Sequence, residues 1–279
     1  MPANMPPKIP PIVLSIAGFD PSSGAGVTAD IKTIAAHGCY GVSCLTAVTV
    51  QTTAGVRQVC AEPGDRVATT LEALASDMPI AAVRIGMLGS GAVAAAVADF
   101  LASRSLANIV LDPVIMSSSG TPLLDDAGLK VLKKRLLPLA SVITPNIEEA
   151  AKLTGLAVGN AGEMKAAARA LHAMGARNVV VTGGHVSPAT DILGRRTTNG
   201  GFRIYEFPGP QLSSTSTHGT GCAFAAALAC NLALGCEIEL AVKFAKEYVT
   251  RAIAAACPIG HGRGPLNHLF ALRQPGNKK

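Results

Sequence analysis

Thr217-His218-Gly219-Thr220-Gly221-Cys222 runs straight into the apolar stretch AFAAALACNLAL. A Gly-Thr-Gly turn that opens a buried helix leaves several backbone N–H groups unpaired and pointing one way. Their dipoles add to the helix macrodipole, and the product is an anion site built from main chain. Glycine at 219 and 221 permits unusual backbone angles and removes side chains that would block a phosphate. Gly219, Thr220, Gly221 and Cys222 are therefore candidate catalytic residues. The place of Cys222 at the positive end predicts a lowered thiol pKa. Its other reading is a small buried hydrophobe. His218 and Cys222 stand at i, i+4, but no second pair lies at zinc-ligand spacing and no HExxH occurs.

The acids and amides have two readings each. Asp112 precedes Pro113 and Glu149 sits early in a helix; they are either turn-forming and dipole-satisfying residues or Mg²⁺ ligands through water. Asp30 lies four residues after Gly26, as a solvated helix charge or as an inward-facing one beside Val27 and Ile31. Gln51 follows a strand, as a turn residue or a bidentate amide partner. Gly24-Ala25-Gly26-Val27-Thr28-Ala29 matches GxGxxA between a strand and a helix. The loop before it is long, and CLTAVTVQ lacks the acid that a dinucleotide site requires about 20 residues on. A flexible Gly-Ser loop or a substrate-covering loop fits better. No GxxxxGK[ST] is present, so any nucleotide is held without a Walker loop.

These residues need a scaffold, and the chain alternates strand, loop and helix. Strands are expected at Ile12 to Ala17, Gly41 to Val50, Ala82 to Ile85, Asn108 to Leu111, Ser141 to Thr144 and Asn178 to Thr182. Helices are expected at Val27 to His37, Asp65 to Ser76, Ala92 to Ser103, Asp125 to Leu137, Ile147 to Leu153 and Ala161 to Met174. Residues 191–212 suggest a hairpin-like excursion, and three helices are expected after Gly219, the last ending near Ala256. Continuously apolar strands argue burial on both faces, hence an α/β fold with a mostly parallel sheet and helices on both sides. Ligands bind such sheets beyond the carboxyl ends of the strands, where Gly18-Phe19-Asp20, Gln51, Gly86-Met87, Asp112-Pro113, Pro145-Asn146 and Gly183-Gly184 fall. Residues 1–11 read as a flexible leader and residues 12–279 as a single domain.

Composition sets the class. The chain has 279 residues, 49% hydrophobic but only 4% aromatic, with no Trp, so its core is built from small aliphatic side chains. So few aromatics speak against a base-stacking nucleic-acid binder. The net charge of +6 suits anionic small molecules. Part of it lies in Lys133, Lys134, Arg135, Lys278 and Lys279, which read as solvated surface. Seven Cys without a CxxC suggest reduced thiols and a cytoplasmic setting. The apolar run from Ala223 is interrupted at Asn231 and reads as a buried helix, so no membrane span is expected.

SIAGFDPSSGAG from Ser15, ADIKT from Ala29, TAVTVQTTAGV, RIGMLGS, VLDPVIMSSSG, LLPLASVITPNIEEA, TGGH, THGTGC and IGHGRGPLNHL follow in order along nearly the whole chain. In this set the chain resembles the hydroxymethylpyrimidine/phosphomethylpyrimidine kinases of thiamine synthesis, in the ribokinase-like superfamily. The resemblance implies a three-layer α/β/α ribokinase-like fold with a mostly parallel central sheet. It implies phosphorylation of 4-amino-5-hydroxymethyl-2-methylpyrimidine and then of its monophosphate, with ATP and Mg²⁺ and room for a monovalent cation. By resemblance, Gly18, Asp30, Gln51, Met87 and Val114 bind the pyrimidine, and Gly219 to Cys222 form the anion hole. Asn146, Thr182 and Gly183 bind nucleotide, while Asp112 and Glu149 hold the metal. Most ribokinase-like kinases carry Asp where Cys222 stands. Thr182 stands where many members have Lys, and Phe19 replaces a commoner small polar residue. The alternatives are a pyridoxal/pyridoxine kinase or dual activity, a non-catalytic pyrimidine-binding regulator and, last, a dehydrogenase. Family analogy also implies a homodimer, with no nucleic acid and no membrane as partner.

Overall fold

The structure, a computed structural model, describes residues 9–184 and 186–272. Most of the expected leader therefore lies outside the described residues, as do His185 of TGGH and both Lys278 and Lys279. The strands are β1 (Ile12–Phe19), β2 (Tyr40–Thr52), β3 (Gly55–Ala61), β4 (Ile80–Ile85), β5 (Ile109–Leu111), β6 (Val142–Ile143), β7 (Asn178–Val181), β8 (Thr190–Arg196) and β9 (Phe202–Pro208). The helices are α1 (Gly26–Ala36), α2 (Gly64–Asp77), α3 (Gly91–Ala102), α4 (Asp126–Val131), α5 (Leu137–Leu139), α6 (Ile147–Thr154), α7 (Ala161–Ala173), α8 (Thr220–Ala233) and α9 (Ile238–Ala254). A π-helical turn at Leu132–Leu136 joins α4 to α5 and carries Lys133, Lys134 and Arg135.

One sheet runs in the order β3-β2-β1-β4-β5-β6-β7-β8-β9. The strands from β2 across to β7 pair in parallel. β3 closes one edge and the β8–β9 hairpin the other, both antiparallel. Successive strand side chains point to opposite faces. Accordingly Leu14, Val83, Ile109, Ile143 and Val179 meet α2, α3, α6 and α7 on one face. Val13, Ala82, Val110, Val142 and Val180 meet α1, α8 and α9 on the other. The three layers follow from strands that are apolar on both sides. In α8 every residue from Ala223 to Asn231 is buried, five of them alanines, and the Asn231 amide donates to the Ala227 carbonyl at 2.8 Å.

Two expectations need correction. β3 was not anticipated: as an edge strand it shows no buried face, so its sequence lacks apolar alternation. After Gly219 there are two helices among the described residues rather than three. Gly235, at φ +89°, ends α8, and α9 then runs unbroken to Ala254.

Candidate active site

β1 lies between β2 and β4, so the chain leaves it first to one side and later to the other. The crevice at such a reversal is the ligand site of open α/β sheets. Gly18 ends β1 here, and a Cβ on it would come within 3.0 Å of Met87 Sδ. Met87, Ala47 and Leu123 form a small apolar cluster of their own, flanked by the half-buried Val56, Val59 and Val114. Gln51 pairs with Val56 at the end of β2 and is half-buried. The structure thus gathers Gly18, Gln51, Met87 and Val114 around one apolar ledge with a single amide beside it.

Asp30 is elsewhere. It is fully buried beneath this crevice, where its Oδ2 accepts from Ser15 Oγ at 2.6 Å and pairs with Arg84 Nη1 at 3.1 Å. Arg84 is also fully buried, and its Nη2 donates to Asp112 Oδ2 at 2.7 Å. Burial pushes the Asp30 carboxyl above its ordinary value, against the pull of Arg84 and Ser15. Burial pushes Asp112 up to about 6, with Arg84 opposing and the Asp30 charge adding to the rise. The guanidinium occupies space that only Gly86 leaves: a Cβ there would lie 1.9 Å from Nη1. Sequence reasoning missed Arg84. Its signal was a cation inside the apolar strand IAAVRI, which has to find carboxylates when buried.

The anion turn is held by the loop after β1. Gly219 caps α8 at φ +84°, and a Cβ on it would stand 1.8 Å from the Gly24 carbonyl oxygen. Gly26, at φ +61°, approaches Gly18 in the same way, and Gly24 abuts the His218 ring. The GxGxxA glycines thus serve close packing. Asp20, a strand-end residue without an expected role, locks the loop. Its Oδ1 accepts from Ser22 N–H and Oγ at 2.8 and 2.7 Å, and its Oδ2 from Ala25 N–H at 2.9 Å. Its Oδ2 further accepts from His218 Nε2 at 2.7 Å. Burial raises the Asp20 carboxyl, but His218 and Ser22 outweigh it and leave it below its ordinary value. Among the described residues, the N–H groups of Gly221 and Cys222 have no backbone partner.

Cys222 corrects an expectation. Its thiol is pushed up to about 11: burial raises it most, Asp112 and Asp30 add, and Arg84 and the Gly26 N–H oppose. Burial, with the two carboxylates adding to it, outweighs the helix end and keeps the thiol neutral at pH 7. Asp112 is close to the turn as well, since a Cβ on Gly221 would be 4.0 Å from its Oδ1.

Asn146 caps α6 in a capping box: its side chain accepts from Glu149 N–H, and the Glu149 carboxylate accepts from Asn146 N–H, each at 2.9 Å. Burial and the neighbouring Asp112 raise Glu149 well above its ordinary value. Two buried acids close enough for one to raise the other offer oxygen ligands to a cation. Carboxylate oxygens are the ligand type that Mg²⁺ takes, together with waters and phosphate oxygens. Thr182 bridges Asn146 across the sheet end, its N–H donating to the Pro145 carbonyl at 2.9 Å. The Gly183 N–H is already taken by Asp191 Oδ1 at 2.8 Å, and Asp191 Oδ2 holds Lys246 at 2.9 Å.

A main-chain anion turn that faces buried acids across a sheet switch point, in a chain without a Walker loop, is the arrangement of a ribokinase-like kinase. Comparison with known proteins agrees. Residues 20–267 match the Phosphomethylpyrimidine kinase family, and the chain belongs to it. It is 42% identical over 257 residues to the hydroxymethylpyrimidine/phosphomethylpyrimidine kinase of Haemophilus influenzae, covering 92% of this chain and 96% of that one. It is 44% identical over 261 residues to the thiamine biosynthesis bifunctional protein ThiED of Geobacter sulfurreducens. That match takes in 93% of this chain and 52% of the relative, so the chain spans about half the length of that bifunctional protein. An ADP complex of Bacillus subtilis pyridoxal kinase superposes with a TM-score of 0.83 at 32% identity, covering 94% of this chain and 98% of that one.

Proposed function

We propose that the protein phosphorylates 4-amino-5-hydroxymethyl-2-methylpyrimidine and then its monophosphate, using ATP and Mg²⁺. The observation that carries this is the turn at Gly219–Cys222, with two free amides, set against Asp112 and beside the Met87–Val114 ledge. The ring lies on the ledge and Gln51 takes its amino edge. The Gly221 and Cys222 amides receive the oxygens of the transferring phosphoryl group, where charge has to be stabilised. Asp112 next to that group would repel it; Asp112 and Glu149 would hold a metal there, which would supply the compensating charge. Asn146 and Thr182 border the nucleotide phosphates. Gly183 shapes that border, since its amide is already occupied.

Asp30 is a positioning residue in this reading. It fixes Arg84, and Arg84 fixes Asp112. Cys222, held neutral, gives the acceptor oxygen a small neighbour in place of a base. Catalysis then rests on positioning and charge stabilisation. That suits an enzyme whose second acceptor is a phosphate and needs no deprotonation.

The likeness to a pyridoxal kinase supports a second reading, phosphorylation of a pyridine alcohol on the same ledge. Coupled measurement of ATP consumption tests both. Turnover only with the aminopyrimidine supports the first reading. Turnover only with pyridoxal replaces it with the second.

A further inference from the structure

Gln51 is gripped from both sides. The structure draws its amide nitrogen 3.1 Å from His218 Nε2 and its oxygen 3.2 Å from Thr49 Oγ1. Nitrogen and oxygen of a carboxamide exchange by a half-turn, and their hydrogen-bond partners decide between the two. Asp20 is an ionised acceptor, so the hydrogen in its 2.7 Å contact with His218 Nε2 belongs to the imidazole. That nitrogen has no lone pair left for a Gln51 N–H, whereas a Gln51 oxygen can share its one hydrogen with Asp20. Thr49 has one hydroxyl hydrogen, and the Phe19 carbonyl, an acceptor only, takes it at 3.0 Å. Thr49 Oγ1 is then an acceptor towards Gln51. Both neighbours require the same answer: amide oxygen towards His218, amide nitrogen towards Thr49.

We propose that Asp20 and His218 on one side, and the Phe19 carbonyl and Thr49 on the other, lock the Gln51 carboxamide in this one orientation, which selects 4-aminopyrimidines over 4-oxopyrimidines. After these two bonds the amide retains one N–H and one oxygen lone pair for a ligand. A 4-aminopyrimidine offers a ring-nitrogen acceptor next to an amino donor. The 4-oxo analogue offers a ring N–H donor next to a carbonyl acceptor, the reverse order. A freely turning glutamine serves both equally; a locked one pairs with one and meets the other donor to donor. His218 and Thr49 are positioning residues here, and the inference rests on the reading that Gln51 takes the pyrimidine edge.

The test compares kcat/KM for 4-amino- and 4-oxo-5-hydroxymethyl-2-methylpyrimidine. The native enzyme should favour the amino compound by roughly a thousandfold or more, as sites do when a buried polar group is left mispaired. Thr49→Val and His218→Phe should each lower that ratio at least about tenfold, with KM for the amino compound rising. Thr49→Ser, which keeps the hydroxyl, should restore the ratio. A ratio unchanged in Thr49→Val and His218→Phe, with both substrates losing activity in parallel, overturns the lock and leaves the Gln51 reading standing. Gln51→Leu with unchanged KM for the amino compound overturns the Gln51 reading itself, and the lock with it.

Discussion

Replacing Arg84 by Met removes the only cation within reach of two buried carboxylates among the described residues. Asp30 and Asp112 are 0% and 4% exposed, so solvent does not screen what remains. Breaking a buried pair by deleting one partner costs about 3–5 kcal/mol, because the surviving charge is left uncompensated. For a domain of this size each kcal/mol lowers Tm by roughly 2 °C or slightly more, which gives a fall of roughly 6–12 °C. The assay is calorimetry at pH 7.5 without added metal. The loss should shrink on acidification. In the variant the carboxyl pKa values rise further above their unfolded values, a change that favours the folded state at low pH and is lost as pH rises through the folded pKa. Adding Asp30→Asn to Arg84→Met should recover part of the loss, since one stranded charge is gone. Arg84→Lys should fall between, because an ammonium cannot fork across two carboxylates. A Tm drop below about 2 °C for Arg84→Met, or no recovery in the double variant, refutes the view that this network is held by Arg84.

Gly219→Ala places a Cβ 1.8 Å from the Gly24 oxygen at φ +84°, so the turn or the loop has to move. Displacing its amides should lower kcat by about 10²–10³, and a kcat within a few-fold of native refutes the anion-hole assignment. With its thiol pushed up to about 11, Cys222 should resist iodoacetamide at pH 7 while the exposed Cys60 and Cys257 are alkylated; rapid labelling of Cys222 by mass spectrometry contradicts the neutral thiol. The raised carboxyls of Asp112 and Glu149 favour the metal-free fold at low pH, a contribution lost as pH rises through about 6 for Asp112. Mg²⁺ should therefore raise Tm more at pH 7.5 than at pH 5.5, and equal shifts at both values speak against these ligands.

The parallel sheet was legible because its strands are apolar on both faces, and the antiparallel β8–β9 excursion showed in the break after Thr190. β3 was not legible: an edge strand whose residues are at most half-buried carries too weak a burial pattern, and only the turn before it hints at a hairpin. At the site, spacing pointed to Gly219–Cys222 and strand ends pointed to Gly18, Gln51, Met87 and Asp112. What spacing could not show was who pairs with whom. The helix end argued for a lowered Cys222 thiol, but burial raises it, and the two acids that add to the rise stand on α1 and just after β5, distant in sequence. Arg84 escaped for the same reason, and Asp20 was placed at a strand end without its role, since each matters through partners about 30 to 200 residues away.

The central claim is two successive phosphoryl transfers to one pyrimidine. It is tested most directly by a time course that separates mono- from diphosphorylated product, with ATP, Mg²⁺ and 4-amino-5-hydroxymethyl-2-methylpyrimidine, and with pyridoxal run alongside. Monophosphate should appear first and be consumed as diphosphate rises, with kcat/KM for the pyrimidine above that for pyridoxal. No phosphorylated pyrimidine, or a higher kcat/KM with pyridoxal, would contradict it.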